Sequence, residues 1–345
     1  MNIYSLTHAS DLDGMASAAM LVRYYKVPIG NVFFGSYSGK IFEDSMKLIS
    51  GIEGPGNLLV IADIGMVSED LERIADVLSD FKKRGNYVFW LDHHVWTDDE
   101  VKRMSDICDF MIVGENKDFC GTELVYKFLC PRDKFGDRLA NFTHVSDFAL
   151  DSAIANDNKL IKKISMSVKY LNDGRIANPK LRDFVSCLAS GSLDCNVINN
   201  AYSEYFRESR PYLKEALESA NIIEVNGIRI ALSFGRKLSS QEACMELMKR
   251  KNADVAIFVN VESGDGSIRS ARDTDSWGVE NTGMAKALKG GGHPLASGFS
   301  LGKKQQLGTT AGQEKMIKRV RGIAQKLYGK RIMYYQQNTG KFSTR

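Results

Sequence analysis

Unbroken apolar runs separated by amphipathic stretches organise the first part of the chain. Ile3-Tyr4-Ser5-Leu6, Leu58-Leu59-Val60-Ile61-Ala62 and Tyr87-Val88-Phe89-Trp90-Leu91 carry the β-branched and aromatic types that fill strands. Runs of this length predict strands buried on both faces. Shorter strands are predicted over 31–34 and 109–114. Between them fall helices over 15–25, 41–49 and 68–84, the last with Leu71, Ile74, Val77, Leu78 and Phe81 as its apolar stripe, Ser68 as N-cap and Gly85 as terminator. Strand and helix alternating in this order predict a mostly parallel sheet covered on both sides.

Helices follow over 121–129 and 133–150. The stretch from 151 to about 212 is polar, mixed and helical in pattern, broken at Gly174 and Pro179, and reads as the connection leaving a first domain. From Asn221 the pattern changes. Two apolar runs flank Asn226-Gly227, a strong hairpin signal. A helix over 239–251, strands over 254–261 and 267–272, a helix over 279–288 and a last helix over 312–328 complete the reading. The expected fold class is α/β with two domains. The first, 1–190, is a mostly parallel sheet flanked by helices and carries the chemistry. A helical linker covers 191–220, a smaller α/β substrate-binding domain 221–330, and a patternless tail 331–345.

Composition changes this picture little. A chain of 345 residues suits two domains, and 43% hydrophobic with 26% charged residues is ordinary for a globular protein. A net charge of +4 permits a locally basic groove without requiring a nucleic-acid partner. The six cysteines show no CxxC or CxxH spacing and, with no secretory leader read at the N-terminus, are expected to be reduced thiols in a cytoplasmic protein. No apolar stretch is long enough to span a bilayer, so no membrane partner is expected.

The chemistry-bearing residues collect at the strand ends. His8, Asp11 and Asp13 sit in the turn after the first strand, Asp63 ends the third, Asp92-His93-His94 end the fourth, and Asp147 lies on the helix over 133–150. Open α/β sheets bind ligands beyond the carboxyl ends of their strands. A cap or turn accounts for one Asp of the first turn but not for three ligand-type side chains together. Five carboxylates brought together would repel one another unless cations neutralised them. Oxygen ligands with a few imidazoles suit manganese or magnesium. A carboxylate bridging two ions gives a two-metal site, with ions roughly 3.5–4 Å apart, suited to hydrolysis of phosphoesters or phosphoanhydrides. His144 stands outside these motifs and reads as structural.

His8-Ala9-Ser10-Asp11-Leu12-Asp13-Gly14, Asp63, Asp92-His93-His94 and Asp147 resemble the four motifs of the DHH phosphoesterase superfamily. Gly290-Gly291-Gly292-His293 resembles the signature of its associated C-terminal substrate-binding domain. The resemblance implies that His8, Asp11 and Asp63 hold one manganese and that Asp13, Asp63, His93 and Asp147 hold the other, with magnesium an alternative ion. It implies that Asp92 orients an imidazole and His94 touches the scissile phosphate. Asp151 competes with Asp147 for the fourth motif.

In the second domain, three consecutive glycines let a backbone approach a phosphate or ribose and expose N–H donors. His293 can stack on a base or bind a phosphate. Arg269 and Arg272, with Ser270 between them, are read as alternating along a strand, both arginines on one face for bidentate phosphate binding. A glycine-rich turn beside a solvated basic strand is the bland alternative. The function expected is manganese-dependent hydrolysis of short single-stranded oligonucleotides, RNA foremost, to mononucleotides. Cleavage of cyclic or linear dinucleotides is the second reading, and a nucleic-acid-binding replication scaffold of the same fold is the non-enzymatic one. A homodimer is left open.

Overall fold

The computed structural model describes residues 1–36, 39–113, 118–148, 155–270, 281–292, 295–302, 306–329, 333–336 and 341–344. The chain divides into two units, Met1–Tyr205 and Phe206–Arg345.

In the first unit the predicted strands form: β1 (Ile3–His8), β2 (Val32–Gly35), β3 (Leu58–Ala62), β4 (Tyr87–Leu91) and β5 (Phe110–Ile112). They make one five-stranded sheet in the order β2-β1-β3-β4-β5, parallel throughout. Helices α1 (Leu12–Tyr25), α2 (Gly39–Gly51), α3 (Leu71–Lys83), α4 (Asp98–Ser105), α5 (Gly121–Leu129), α6 (Lys134–Asp147), α7 (Ala155–Leu171) and α8 (Pro179–Ala189) surround it. One apolar core joins the sheet to α1 and α5–α8 through Met15, Ala19, Val60, Leu124, Phe142, Ile164 and Phe184. The core on the other face joins Leu6, Ile61 and Trp90 to Ile49, Leu78, Phe81 and Met104 of α2–α4. Covering both faces is what makes these strands uniformly apolar. The chain leaves β1 toward β2 on one side and builds β3, β4 and β5 on the other. The strand order therefore reverses between β1 and β3, the position where open sheets bind ligands.

Several expectations are corrected. Residues 155–189 are not a connection: Ile164, Val168, Leu181, Phe184 and Leu188 pack into the same core as α1. Ser68 does not cap its helix, for its hydroxyl donates to Glu100 Oε1 at 2.7 Å and α3 starts at Leu71 after a short 3-10 turn. Cys187 and Cys195 are joined in a disulfide, which their Cα–Cα distance of 6.6 Å across the loop after α8 allows, leaving Cys108, Cys120, Cys130 and Cys244 as thiols.

The next helix, α9 (Asn196–Glu218), contains Pro211 and crosses the unit boundary. The second unit has a six-stranded mixed sheet of β6 (Asn221–Val225), β7 (Ile228–Gly235), β8 (Val255–Asn260), β9 (Asp265–Ser270), β10 (Gly291–Gly292) and β11 (Ala296–Ser300), in the order β10-β11-β9-β8-β7-β6. Among the described residues of this sheet, only β7 and β8 pair in parallel. Asn226 (φ 47°) and Gly227 (φ 78°) both have the positive φ of the predicted hairpin turn. Helices α10 (Ser240–Lys251), α11 (Asn281–Ala287) and α12 (Thr310–Tyr328) belong to this unit, and the tail adds a hairpin of β12 (Met333–Gln336) and β13 (Lys341–Thr344) that the sequence pattern does not show. Among the described residues, no helix is long and apolar enough to cross a membrane.

Candidate metal centre

The site is built at the carboxyl ends of β1, β3 and β4. His8 is the last residue of β1. Asp11 caps α1, accepting the Gly14 amide at 3.5 Å, and Asp13 lies in that helix's first turn. Asp63 follows β3 directly, with its amide on Leu91 O at 3.0 Å, and Asp92 follows β4, with its amide on Ile112 O at 2.8 Å. The ladder thus continues one residue past each strand and fixes both carboxylates. Asp63 has φ 55°, the left-handed region that a non-glycine residue enters at a cost.

The two oxygens of Asp63 face different groups. Oδ2 is 4.0 Å from His8 Nδ1, which is itself 3.2 Å from Asp11 Oδ2. Oδ1 is 3.6 Å from His93 Nε2, and that nitrogen is 3.7 Å from both Asp13 Oδ2 and Asp147 Oδ2. Ligand-type atoms within 4.8 Å of one another form the sets His8–Asp11–Asp63, Asp13–His93–Asp147 and Asp63–His93–His94. Asp63 Oδ2 and His93 Nε2 are buried with no hydrogen-bond partner among the described residues. Buried polar atoms are nearly always partnered, so two orphans aimed into one acidic cluster fit a divalent cation.

Electrostatics support the same reading. Burial pushes the Asp63 carboxyl well above its ordinary range, and the charges of Asp13, Asp11, Asp92 and Asp147 push it further. Asp147, with 25% of its side chain exposed, is raised to about 8 by burial and by Asp13 and Asp11. At Asp11 burial acts upward, but His8 and the Gly14 amide outweigh it and the carboxyl falls to about 2. His93 is lowered, chiefly by burial, and a neutral imidazole is the form that binds metal. At His94 burial acts downward, but Asp92 outweighs it and the ring's pKa is raised.

Asp92 is spent on hydrogen bonds to His94 and Trp96. Its Oδ1 is 2.7 Å from His94 Nδ1, and its Oδ2 accepts Trp96 Nε1–H at 2.8 Å and the His94 amide at 3.1 Å. The imidazole it orients is therefore that of His94.

The sequence reading missed the first turn of α5. The Gly121 and Thr122 amides donate to the Asp13 carboxylate at 2.7 and 2.6 Å, and the Thr122 hydroxyl donates to the Asp13 carbonyl at 2.8 Å. A Cβ on Gly121 would meet Asp63 Cβ at 2.8 Å and Asp13 Oδ2 at 3.1 Å, so a larger residue there must displace both carboxylates. The Cys120-to-Glu123 spacing could have flagged a capping box, but nothing in it names Asp13 as a partner. Asn172 also escaped notice; its side-chain amide holds the Ala9 carbonyl at 3.0 Å.

Of the residues proposed for substrate, Arg269 and Ser270 end β9, while Arg272 and His293 lie outside the described residues, as does Asp151. Three residues is an odd spacing, so a strand running through both would put Arg269 and Arg272 on opposite faces rather than on one. Arg269 is largely buried, donating Nη1–H to Ile268 O at 2.9 Å and to Ser297 O at 3.3 Å, and burial lowers its pKa. Its Nε–H and the Ser270 hydroxyl are buried and unpartnered among the described residues. Gly290 is explained by packing, since a Cβ would meet Gly298 O at 2.0 Å; at Gly291 a Cβ would meet nothing within 4 Å. Gly291 and Gly292 form β10 against Gly298 and Ser297.

A parallel α/β unit with carboxylates and imidazoles converging past β1, β3 and β4 defines a candidate divalent-metal domain. Residues 2–152 match the model of the DHH family, N-terminal domain. No curated protein matches the chain in sequence. Solved structures share the fold. An exopolyphosphatase-related protein from Bacteroides fragilis is 16% identical, with 95% of this chain and 94% of that one covered and a TM-score of 0.53. A pGpG-specific phosphodiesterase from Vibrio cholerae is 13% identical over 92% of this chain and 99% of that one, with a TM-score of 0.50. Exonuclease RecJ bound to manganese is 15% identical over 94% and 90%, also with a TM-score of 0.50.

Proposed function

We propose that the chain is a manganese-dependent phosphodiesterase that hydrolyses short single-stranded oligonucleotides, RNA foremost, to mononucleotides in the cytoplasm, with magnesium as the alternative ion. The observation that carries this reading is the division of Asp63, whose Oδ2 faces His8 and whose Oδ1 faces His93. His8, Asp11 and Asp63 would hold one cation, and Asp13, Asp63, His93 and Asp147 the other. Two divalent cations held there would supply an activated water and charge stabilisation for the phosphoryl oxygens.

The remaining work falls to the protein. Asp92 fixes the His94 ring and favours its charged form, so His94 can place an N–H on a phosphate oxygen. The α5 amides lock Asp13 in one orientation, which lowers the reorganisation needed when a phosphate arrives. In the second unit we assign the substrate's end to Arg269, Ser270, Arg272, Gly290, Gly291, Gly292 and His293. The Arg269 Nε–H and Ser270 hydroxyl, unpartnered among the described residues, support that assignment.

Dinucleotide cleavage, cyclic or linear, is the second reading, favoured by the fold neighbour that acts on pGpG. Incubation of the full chain with end-labelled RNAs of about two to seven nucleotides, a cyclic dinucleotide and a long single strand separates these readings. Rapid manganese-dependent conversion of the short RNAs to mononucleotides is expected. Preference for the cyclic or linear dinucleotide would replace the first reading with the second, and no hydrolysis of any substrate with manganese present would sink both.

A further inference from the structure

His144 stood outside every motif, yet the fold gives it a place beside the metal centre. Its Nδ1 is 2.8 Å from Glu123 Oε2, the oxygen that also accepts the Cys120 amide at 2.9 Å. Glu123 directly follows Gly121 and Thr122, whose amides hold Asp13. His144 and Asp147 are three residues apart on α6 and so share a face of that helix. The His144 ring is 4.7 Å from the Phe148 ring, which meets the His93 ring edge-on at 6.2 Å. One turn of α5 is therefore bonded to Asp13 on one side and, through Glu123 and His144, to the helix that carries Asp147 on the other. Asp13 and Asp147 are the two carboxylates found 3.7 Å from His93 Nε2.

A plain ion pair does not account for this placement. The His144 and Glu123 side chains are 26% and 21% exposed, and pairs reached by solvent add little stability. Glu123 also brings another carboxylate toward a cluster already crowded with them, which is unfavourable unless a cation is to be held there.

We propose that Glu123 and His144 are positioning residues that set the spacing of Asp13 and Asp147 and so tune the His93 side of the centre for its cation. They touch neither substrate nor reacting atoms. The inference rests on the two-metal reading above.

The test is calorimetric titration of the metal-free full chain with manganese, comparing the parent with His144→Ala and His144→Asn. Asparagine offers an N–H close to where Nδ1–H lies. The parent is expected to show two binding events. In His144→Ala, the event that survives in a His8→Ala control should weaken about ten- to hundredfold, the usual effect of losing a group that orients metal ligands. The other event should stay within about twofold, and His144→Asn should recover most of the loss. Equal weakening of both events would mark a general structural role, and no weakening would remove the role altogether; either overturns the proposal. A parent that takes up no manganese would sink the metal reading itself and this inference with it. Should His144→Ala fail to fold, Glu123→Gln keeps an acceptor but removes the charge, and its selective weakening of the same event is the expected result; unchanged binding there would overturn the proposal.

Discussion

Asp13 and Gly121 are 108 residues apart in the chain, yet the Gly121 amide donates to Asp13 Oδ2 at 2.7 Å. Gly121 also lies against Asp63, so one backbone position borders two carboxylates of the cluster. Gly121→Ala should keep the fold of the first unit and lower manganese affinity about ten- to hundredfold. Circular dichroism and a manganese titration read the two effects, and an alanine variant with parental affinity would show that the close approach does not matter.

The strained, doubly facing Asp63 leads to a second expectation. Asp63→Asn removes the bridging charge while keeping the side chain's shape. Hydrolysis should fall at least about a thousandfold, and the metal-free protein should be no less stable than the parent, because a buried carboxyl is relieved of its neighbours' repulsion. Substantial activity in the folded variant would contradict the bridging role.

Stability of the metal-free protein should depend on pH in a definite direction. Asp147 is raised to about 8 and Asp63 well above its ordinary range. Both bind protons more tightly when folded, so their contribution is fully present below the ordinary carboxylate pKa of about 4; that of Asp147 is lost as pH rises through about 8, and Asp63 acts in the same direction. His94, also raised, acts in the same direction, while His93, lowered, opposes it. The thermal midpoint in chelator should therefore fall between about pH 5 and pH 8. Saturating manganese should flatten or reverse that trend, since cations bind the deprotonated acids. A midpoint in chelator that rises over this interval would contradict the electrostatic picture.

Asp92 separates orientation from ligation. Asp92→Ala leaves Trp96 Nε1–H buried without its acceptor and should cost about 1–3 kcal/mol of stability. Trp96→Phe in the same background removes the stranded donor and should restore part of that loss in denaturant melts. Activity should stay low in both variants because His94 is still unheld. Full recovery of turnover in the double variant would show that Asp92 serves stability alone.

The strands and the acidic ends of β3 and β4 were legible because burial on both faces leaves an unbroken apolar signature that polar residues terminate. His8, Asp11, Asp63, His93 and Asp147 share their place in the sequence pattern with their place in space. The Gly121–Thr122 contact left no trace, since a backbone amide has no residue signature. His144 was passed over for a related reason: its partner Glu123 lies 21 residues away on another helix. Helices α7 and α8 looked like a connection because their exposed faces are polar, although Ile161, Ile164, Val168 and Leu171 on α7 and Leu181, Phe184, Val185 and Leu188 on α8 recur at helical spacing and mark a core stripe. The pairing of Cys187 with Cys195 follows from the turn after α8, which spacing alone does not specify.

On the proposed reading Asp63 bridges two cations. Crystals of the full chain grown with manganese, measured at the manganese absorption edge, test it directly through the anomalous difference map. Two peaks about 3.5–4 Å apart are expected, one beside His8 and Asp11, the other beside Asp13, His93 and Asp147, with one Asp63 oxygen on each. A single peak, or two peaks that Asp63 does not join, would contradict that reading.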